Sequence, residues 1–368
     1  MDYKICGHCV MDTSDPEIRF TENICNHCYK YIERMHEETH ENFSALLPHF
    51  EQMKLDGEGK DHDCIIGLSG GLDSSYVAYN LVQYGIRPLA LSIDNEWDMP
   101  VAKENVKKLV NGLNIDWEHH PVDKEQYRDF QLAFLKSGVI NIEAPTDHAI
   151  ISMLYKRAAQ EQLRYIVHGG NIVTECIMPK SWGYNAIDWR QIKAIHRRFG
   201  NLSPKGFPHM ALSHWFWYTF VCAIRWFPLL NYVDYVPERA KMILSNSIGW
   251  RDYGGKHRES EWTTFFQEYI LPHKFGIDKR RAHLSTLINS GFMTRDQALD
   301  ILKDKPPMYD DQAMVEKVCD RLGITVGYFN QLMRSEVVSH RAYPNNETWF
   351  VRLKAFVDFS RKKATANA

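Results

Sequence analysis

The sequence predicts an α/β protein: a parallel sheet with helices on both faces, a cysteine knuckle ahead of it and a helical region behind it. Three observations carry this. Four of the eight cysteines fall in the first 28 residues. Between residues 64 and 168 short apolar runs alternate with amphipathic ones. From 282 to 334 the apolar positions recur at helical spacing. A chain of 368 residues, 44% of them apolar, is long enough for one large domain or two to three small ones. The expected division is 1–57 for the knuckle and a linker helix, 58–275 for the sheet domain, and 276–368 for the helical region.

Composition excludes several classes. A formal charge of −2 gives no bulk field toward nucleic acid or an acidic membrane, so neither is an expected partner and any basic site must be local. The amino terminus shows no cationic start, apolar run and small-residue cleavage site, so no signal peptide is expected and the cytoplasm is the expected compartment. The most apolar stretch, HWFWYTFVCAIRWFPLLNYV at 214–233, is cut by Arg225 and Pro228. It falls short of the roughly 20 uninterrupted apolar residues a membrane span requires. Core packing is the plain reading of its aromatics; a docking surface or membrane-surface contact is the alternative.

Taken in order, Cys6 and Cys9 form one C-x2-C pair and Cys25 and Cys28 a second, fifteen residues on. Two residues between thiolates let a tight turn point both sulfurs at one ion, and a second turn completes a tetrahedron. Structural zinc is the expected occupant and iron the alternative, since disulfides are rare in the expected compartment. His8 and His27 lie inside the knuckles and are expected beside the metal or in solvent rather than bonded to it. Cys64, Cys176, Cys222 and Cys319 are scattered and read as small core residues. Residues 29–53 carry a helical mixture of charged and apolar positions, and LDGEGKD at 55–61 reads as a linker. Strands are expected at 64–68, 88–93, near 116–119 and at 165–168, with helices at 74–84, 101–113 and 148–162. The text from 171 to 272 is irregular. Helices are expected at 282–289, 294–302, 310–322 and 326–334, the second opened by a capping box of Thr294 with Gln297. The tail at 361–368 reads as disordered.

The densest chemistry lies in IIGLSGGLDSS at 65–75. A strand climbs into a turn whose amides lie where the next helix points its positive end, an arrangement that binds anions. Gly70 and Gly71 permit positive φ and close approach, while Ser69, Ser74 and Ser75 add hydroxyl donors. Asp73 does not suit a bare phosphate cradle; beside phosphates a carboxylate usually holds magnesium. The G-x4-G-K-[ST] and G-x-G-x-x-G patterns are absent.

SGG-x-DS resembles instead the motif of the PP-loop, or N-type, ATP pyrophosphatases. The resemblance implies a PP-loop fold of the adenine nucleotide alpha hydrolase type. It also implies a loop that grasps the pyrophosphate of ATP while the nucleotide is cut between its α and β phosphates. It assigns adenine and ribose to the strand ending at Ser92 and Asp94. It places a second glycine turn, Gly169 and Gly170 after His168, at the same sheet edge, with Glu175 as a second magnesium ligand; the bland reading of Glu175 is a solvated loop acid. Further on, YGGKHRES at 253–260 forms a cationic turn. A transition state that spreads charge over departing pyrophosphate needs such donors, and Lys256 and Arg258 are the candidates, with an ordinary basic surface loop as the alternative.

The ordered set CGHC, CNHC, SGGLDSS, HGGN, GGKHRESEW and KFGIDKRRAHLSTLINSGFMTRDQAL resembles, over nearly the full length, the N-acetyl sugar amidotransferase family of surface-polysaccharide synthesis. Its members are similar to asparagine synthetase in the ATPase part. The resemblance implies that the acetamido group of a nucleotide-linked N-acetyl sugar is adenylated and its oxygen replaced by ammonia, giving an acetamidino group. ATP, Mg2+ and Zn2+ are the implied cofactors. His168 or His148 is a candidate base, and Asp147 a candidate partner for a substrate hydroxyl. The chain starts Met-Asp and contains no Gly-x-Cys-x-Gly turn, so ammonia is expected from a separate glutaminase subunit resembling that of imidazole glycerol phosphate synthase, with a cyclase-like companion. The aromatic 214–236 stretch could also wall an ammonia channel. The rival reading is a PP-loop tRNA thiolation enzyme, for which Cys64 and Cys176 at the working edge of the sheet would carry sulfur.

Overall fold

The computed structural model describes residues 3–39, 43–256 and 258–352. The tail at 361–368 and His257 lie outside the described residues. A short hairpin of β1 (Phe20–Thr21) and β2 (Ile24–Cys25) leads into helix α1 (Asn26–Glu38), and α2 (Phe43–Asp56) follows. The sheet then forms from β3 (Cys64–Gly67), α3 (Leu72–Gln83), β4 (Pro88–Asp94), α4 (Pro100–Leu113), β5 (Asp116–Pro121), α5 (Lys124–Ser137), α6 (Ala144–Gln160) and β6 (Tyr165–His168). The short α7 (Ile172–Glu175), α8 (Trp189–Phe199) and α9 (Leu212–Phe216) precede a π-helical turn at Trp217–Val221 and strand β7 (Arg225–Pro228). Helices α10 (Pro237–Ile248), α11 (Glu261–Phe265), α12 (Arg280–Asn289), α13 (Arg295–Ile301), α14 (Gln312–Leu322) and α15 (Val326–Arg334) complete the chain.

The five strands run parallel in the order β5-β4-β3-β6-β7. Ile66 pairs with Ala90 on one side, and on the other with Val167. The chain therefore builds outward from β3 to β5 and then returns to β6 on the opposite flank of β3. Such a reversal opens a crevice at the carboxyl ends of the two strands, where ligands of open α/β sheets bind.

Both faces are covered, as expected. On one, Leu46, Phe50 and Met53 of α2 pack with Leu81, Leu109 and Leu244 of α3, α4 and α10. On the other, Leu154 and Tyr155 of α6 meet Ile65, Leu91 and Ile166 of the sheet. A third core joins Phe130 and Phe134 of α5, Ile192 and Ile195 of α8, Phe265 of α11, Val318 of α14 and Phe329 of α15. The four expected carboxyl-terminal helices form within two residues of their predicted ends, and both bonds of the Thr294–Gln297 capping box are made.

Several expectations change. Helix α5 was not anticipated, although Asp123 caps it by accepting from the Gln126 amide at 2.9 Å and Gly138 ends it at φ +73°. The irregular 171–272 region contains α8, α10 and the fifth strand β7. Helix α6 begins at Ala144 rather than 148, with Pro145 in its first turn. The glycine-rich 55–61 segment is tied down: the Arg87 guanidinium donates to Lys60 O (2.7 Å), Gly57 O (3.0 Å) and Asp63 (2.6 Å). No helix among the described residues is long and apolar enough to cross a membrane.

Candidate active site

The turn after β3 is held from behind. Leu68 donates its amide to Leu91 O (2.9 Å). Gly70 adopts φ +81°, and a Cβ there would stand 2.3 Å from Ala102 O, so both conformation and space require glycine. Its carbonyl accepts from the Trp250 indole (3.1 Å) and from Asn105 (3.4 Å), which fixes the peptide plane. Gly71 is the N-cap of α3, and the Ser69 hydroxyl accepts its amide at 3.2 Å. Helix α3 begins two residues earlier than expected, so Asp73, Ser74 and Ser75 belong to its first turn. Ser75 is buried, and its hydroxyl has no hydrogen-bond partner among the described residues.

Asp73 is the hub. Its Oδ2 receives the Lys256 ammonium at 3.0 Å, and Tyr235 donates its hydroxyl to Oδ1. The same ammonium reaches Glu175 at 2.9 Å and the Thr174 hydroxyl at 2.6 Å. The second glycine turn makes this closeness possible, because a Cβ on Gly169 would come within 2.8 Å of the Asp73 backbone. Asn171 caps α7 by accepting from Thr174 N (2.8 Å), which fixes Thr174 and Glu175 on the crevice. Glu175 is thus no free loop acid. Burial opposes the charge on Lys256, but Asp73 and Glu175 outweigh it and the lysine pKa is raised.

These groups open onto a cavity of about 490 Å³ lined by Ser69, Gly71, Asp73, Ser74, Gly169, Gly170, Glu175 and Lys256 together with Tyr235, Tyr253, Glu259 and His283. Five carboxylates, Asp73, Glu175, Glu238, Asp252 and Glu259, line it against two lysines, Lys241 and Lys256. A polyphosphate could not enter that field without a divalent cation to neutralise it, and two of the carboxylates already flank a single cation position. The donor set therefore fits magnesium on Asp73 and Glu175.

Other expected residues stand apart. Arg258 turns away to pair with Glu268 (2.7 Å) and lies against Gly255, so it braces the 254–256 turn instead of lining the cavity. Ser75 is buried and does not line the cavity. The Ser92 hydroxyl is spent on Leu68 O and on the Trp117 indole (3.1 Å). Asp94 is engaged by Lys103 (3.2 Å), His119 (3.3 Å) and the Glu96 amide (3.0 Å). His168 accepts from the Gly170 amide at Nδ1 (3.1 Å), and burial lowers its pKa to about 4. His148 is fully buried with both nitrogens committed, one to Ala186 O (2.8 Å) and one to the Met210 amide (3.1 Å), which leaves no site for a transferred proton. Burial and Glu143 raise the pKa of Asp147, against Lys279.

Sequence reading missed Tyr235, Trp250, Tyr253, Glu259 and His283. Tyr253 and Glu259 flank the lysine turn and could have been taken with it. Tyr235 and Trp250 act on the turn from 162 and 180 residues away, and no local pattern marks them.

The four cysteines converge as expected. Their sulfurs lie within 4.8 Å of one another, and all four residues are buried. Zinc bonded to thiolates at about 2.3 Å would space the sulfurs about 3.8 Å apart; the observed neighbours are at 3.6, 3.7 and 4.0 Å. The cluster can bind a metal. His8 is exposed and His27 pairs with Asp15 (2.7 Å), so neither belongs to it. Asn289 of α12 donates to Cys28 Sγ (3.6 Å), and Arg295 donates to Cys6 O (2.9 Å). Cys64 opens β3 and is therefore at the amino end of the sheet, opposite the crevice, where burial pushes its thiol up. That corrects its expected place at the working edge. Cys176 follows Glu175 and is half-buried, its thiol also raised by burial.

A parallel sheet whose strand order reverses around an SGG-x-DS turn, with a lysine and two carboxylates closing over that turn, is the arrangement that the resemblance to PP-loop proteins leads one to expect. Residues 259–356 match the family model described as "LPS biosynthesis protein WbpG-like, C-terminal domain", which supports the resemblance to a surface-polysaccharide family. No curated protein matches the chain. Solved structures similar to it include NMN synthetase from Francisella tularensis (TM-score 0.27, 14% identity, covering 67% of this chain and 93% of that one). Another is the NH3-dependent NAD synthetase from Campylobacter jejuni (0.29, 17%, 45% and 76%). A third is the U34-tRNA thiolase NcsA from Methanococcus maripaludis (0.31, 12%, 89% and 99%). Overlaps at these scores carry no argument about function.

Proposed function

We propose that the chain is an ATP-dependent, AMP-forming amidotransferase that converts the acetamido group of a nucleotide-linked N-acetyl sugar into an acetamidino group. The observation that carries this reading is Lys256 bridging Asp73 and Glu175 at the amino end of α3, in a chain whose WbpG-like segment begins at Glu259 of the same cavity. Ser69, Gly70, Gly71 and Ser74 would cradle the leaving phosphates, with Gly169 and Gly170 closing the far side. Asp73 and Glu175 would hold magnesium, which supplies charge neutralisation on the phosphates. Ser92 and Asp94, at the end of β4, are the proposed adenine and ribose side.

The amide oxygen of the sugar attacks the α-phosphorus and pyrophosphate departs. Ammonia adds to the resulting O-adenylated imidate, AMP leaves and a proton is lost. No side-chain nucleophile is needed, so positioning and charge neutralisation supply most of the rate. Lys256 would move from the carboxylates to the leaving phosphates, on a turn braced by Arg258. With a pKa near 4 His168 is a weak proton acceptor; Glu259, whose pKa burial raises, is better matched to the task. The knuckle is proposed to hold zinc, and ammonia to come from a separate glutaminase with its cyclase-like companion.

The test mixes the protein with ATP, magnesium, ammonium and a nucleotide-linked N-acetyl sugar. The expected outcome is AMP and a sugar product about one mass unit lighter, since NH replaces O. AMP released only with tRNA and a sulfur donor would establish thiolation instead.

A further inference from the structure

Helix α8 concentrates positive charge on one short element. Arg190, Lys193, Arg197 and Arg198 share one helix of eleven residues that contains no acid, in a chain of net charge −2. None of the four forms an ion pair with a described carboxylate, whereas Arg87, Arg157, Arg258 and Arg281 do. They line a groove of about 670 Å³ whose opposite wall is Leu212 and the 342–346 segment. Arg198 is held over the rings of Phe199 and Tyr343. The inner face of α8, Ile192 and Ile195, is buried in the core, so the cations are presented outward on a rigid support.

The groove runs into an apolar shelf along both walls. From Leu212, helix α9 and its π turn lead to Phe216, Trp217, Phe220 and Val221, all exposed, with Trp217 56% exposed. From Asn346, the chain leads to Trp349, 54% exposed, and to Phe350, which packs on Trp215 (5.9 Å). Only part of the aromatic 214–236 stretch is therefore core. Exposed apolar patches of this kind mark a partner or a lipid surface.

We infer that this face docks the protein on an anionic membrane surface, with the α8 cations on lipid phosphates and Trp217 and its neighbours in the headgroup boundary. A bilayer surface is the partner that takes single-sign charge beside an aromatic apolar ledge: phosphate outermost, acyl chains just beneath, and indole rings favoured at the border. The groove's position on α8, outside the nucleotide crevice, makes the inference independent of the amidotransferase reading.

Flotation of the full chain with vesicles tests it. Binding is expected to vesicles of phosphatidylcholine plus phosphatidylglycerol, not to phosphatidylcholine alone, and is expected to be released by salt. Arg197→Glu with Arg198→Glu should weaken it at least about tenfold, with a smaller loss for the paired glutamine changes. Trp217→Ser with Phe220→Ser should weaken it severalfold, while circular dichroism is unchanged in all variants. Failure to float with either vesicle overturns the inference, as does flotation that charge reversal leaves intact. So does a stable dimer that Trp217→Ser separates, since a second copy would then cover the shelf, or a single-stranded RNA that displaces the vesicles.

Discussion

Lys256 concentrates the residue-scale argument. In the proposed reaction it is the cation that follows charge from the resting carboxylates to the departing pyrophosphate, so Lys256→Met should lower AMP formation by about 10²–10³ with KM for ATP little changed. Steady-state kinetics on a variant with unchanged circular dichroism checks this; near-normal turnover would remove the lysine from the mechanism. Buried His148 gives a second prediction. Burial lowers its pKa from 6.5 to about 4, so the unfolded chain takes up the proton first. Its contribution to stability is complete above pH 6.5 and lost as pH falls toward 4, a loss on the order of 2 kcal/mol by pH 5. Asp147 works in the opposite sense, its raised pKa favouring the fold at low pH and losing that effect as pH rises. The cost of His148→Gln should therefore be larger at pH 7 than at pH 5, as read by denaturant unfolding; equal costs would mean that the imidazole is not held neutral. At this scale the sequence was informative for residues whose role is local. Ser69, Asp73 and Lys256 were legible from their neighbours, whereas Tyr235 and Trp250 were not, because their partners are remote in sequence.

Among the elements, the β3–α3 turn does the most to define the site, and its constraints come from α4 and from Trp250. Gly70→Ala would place a methyl 2.3 Å from Ala102 O at a positive φ. The turn must shift, at a cost of about 1–3 kcal/mol from the backbone conformation alone. We expect a lowered melting temperature and ATP affinity reduced by tenfold or more, measured by scanning fluorimetry and nucleotide titration. Unchanged affinity would show that the carbonyl orientation set by Trp250 is irrelevant to binding. Helices with a cap in the text, such as α13 with Thr294 and Gln297, were recognised almost to the residue. Helix α5 had an equally good cap in Asp123 and was passed over, because the neighbouring strand β5 blurs the start of its pattern. Strand β7 escaped for a different reason: four residues, RWFP, carry too little alternation to identify a strand.

For the whole molecule, the amino-terminal knuckle and the crevice are mechanically linked through α12. The cysteine loops are tied to α12 and α13 by Asn289, by Arg295, and by Arg281 donating to Val10 O (2.9 Å). Helix α12 in turn meets the crevice: His283 bonds Thr174 O (3.2 Å), Thr286 accepts from the Ile177 amide (3.1 Å), and His283 and Leu287 line the cavity. Removing a metal held by the knuckle should therefore impair the proposed ATP site at a distance. Chelator treatment or Cys9→Ser is expected to lower the melting temperature by several degrees and to increase hydrogen exchange in 280–290 and 172–176 together. Loosening confined to residues 3–30 would show the knuckle to be an independent appendage.

The sequence by itself determined the parallel sheet, the cysteine set able to hold a metal and the glycine turns, because each depends on residues near one another in the chain. Backbone geometry at a Gly-Gly step, a C-x2-C turn or a helix cap is decided within a few residues. Only the tertiary structure decided that Lys256 closes a triangle with Asp73 and Glu175, that Arg258 does not join it, that Cys64 opens the wrong end of β3, and that α8 sets four cations, none ion-paired with a described carboxylate, beside an aromatic shelf. Those facts depend on which side chains meet across long stretches of chain, and such meetings are set by packing of the hydrophobic cores, to which no short segment holds the key.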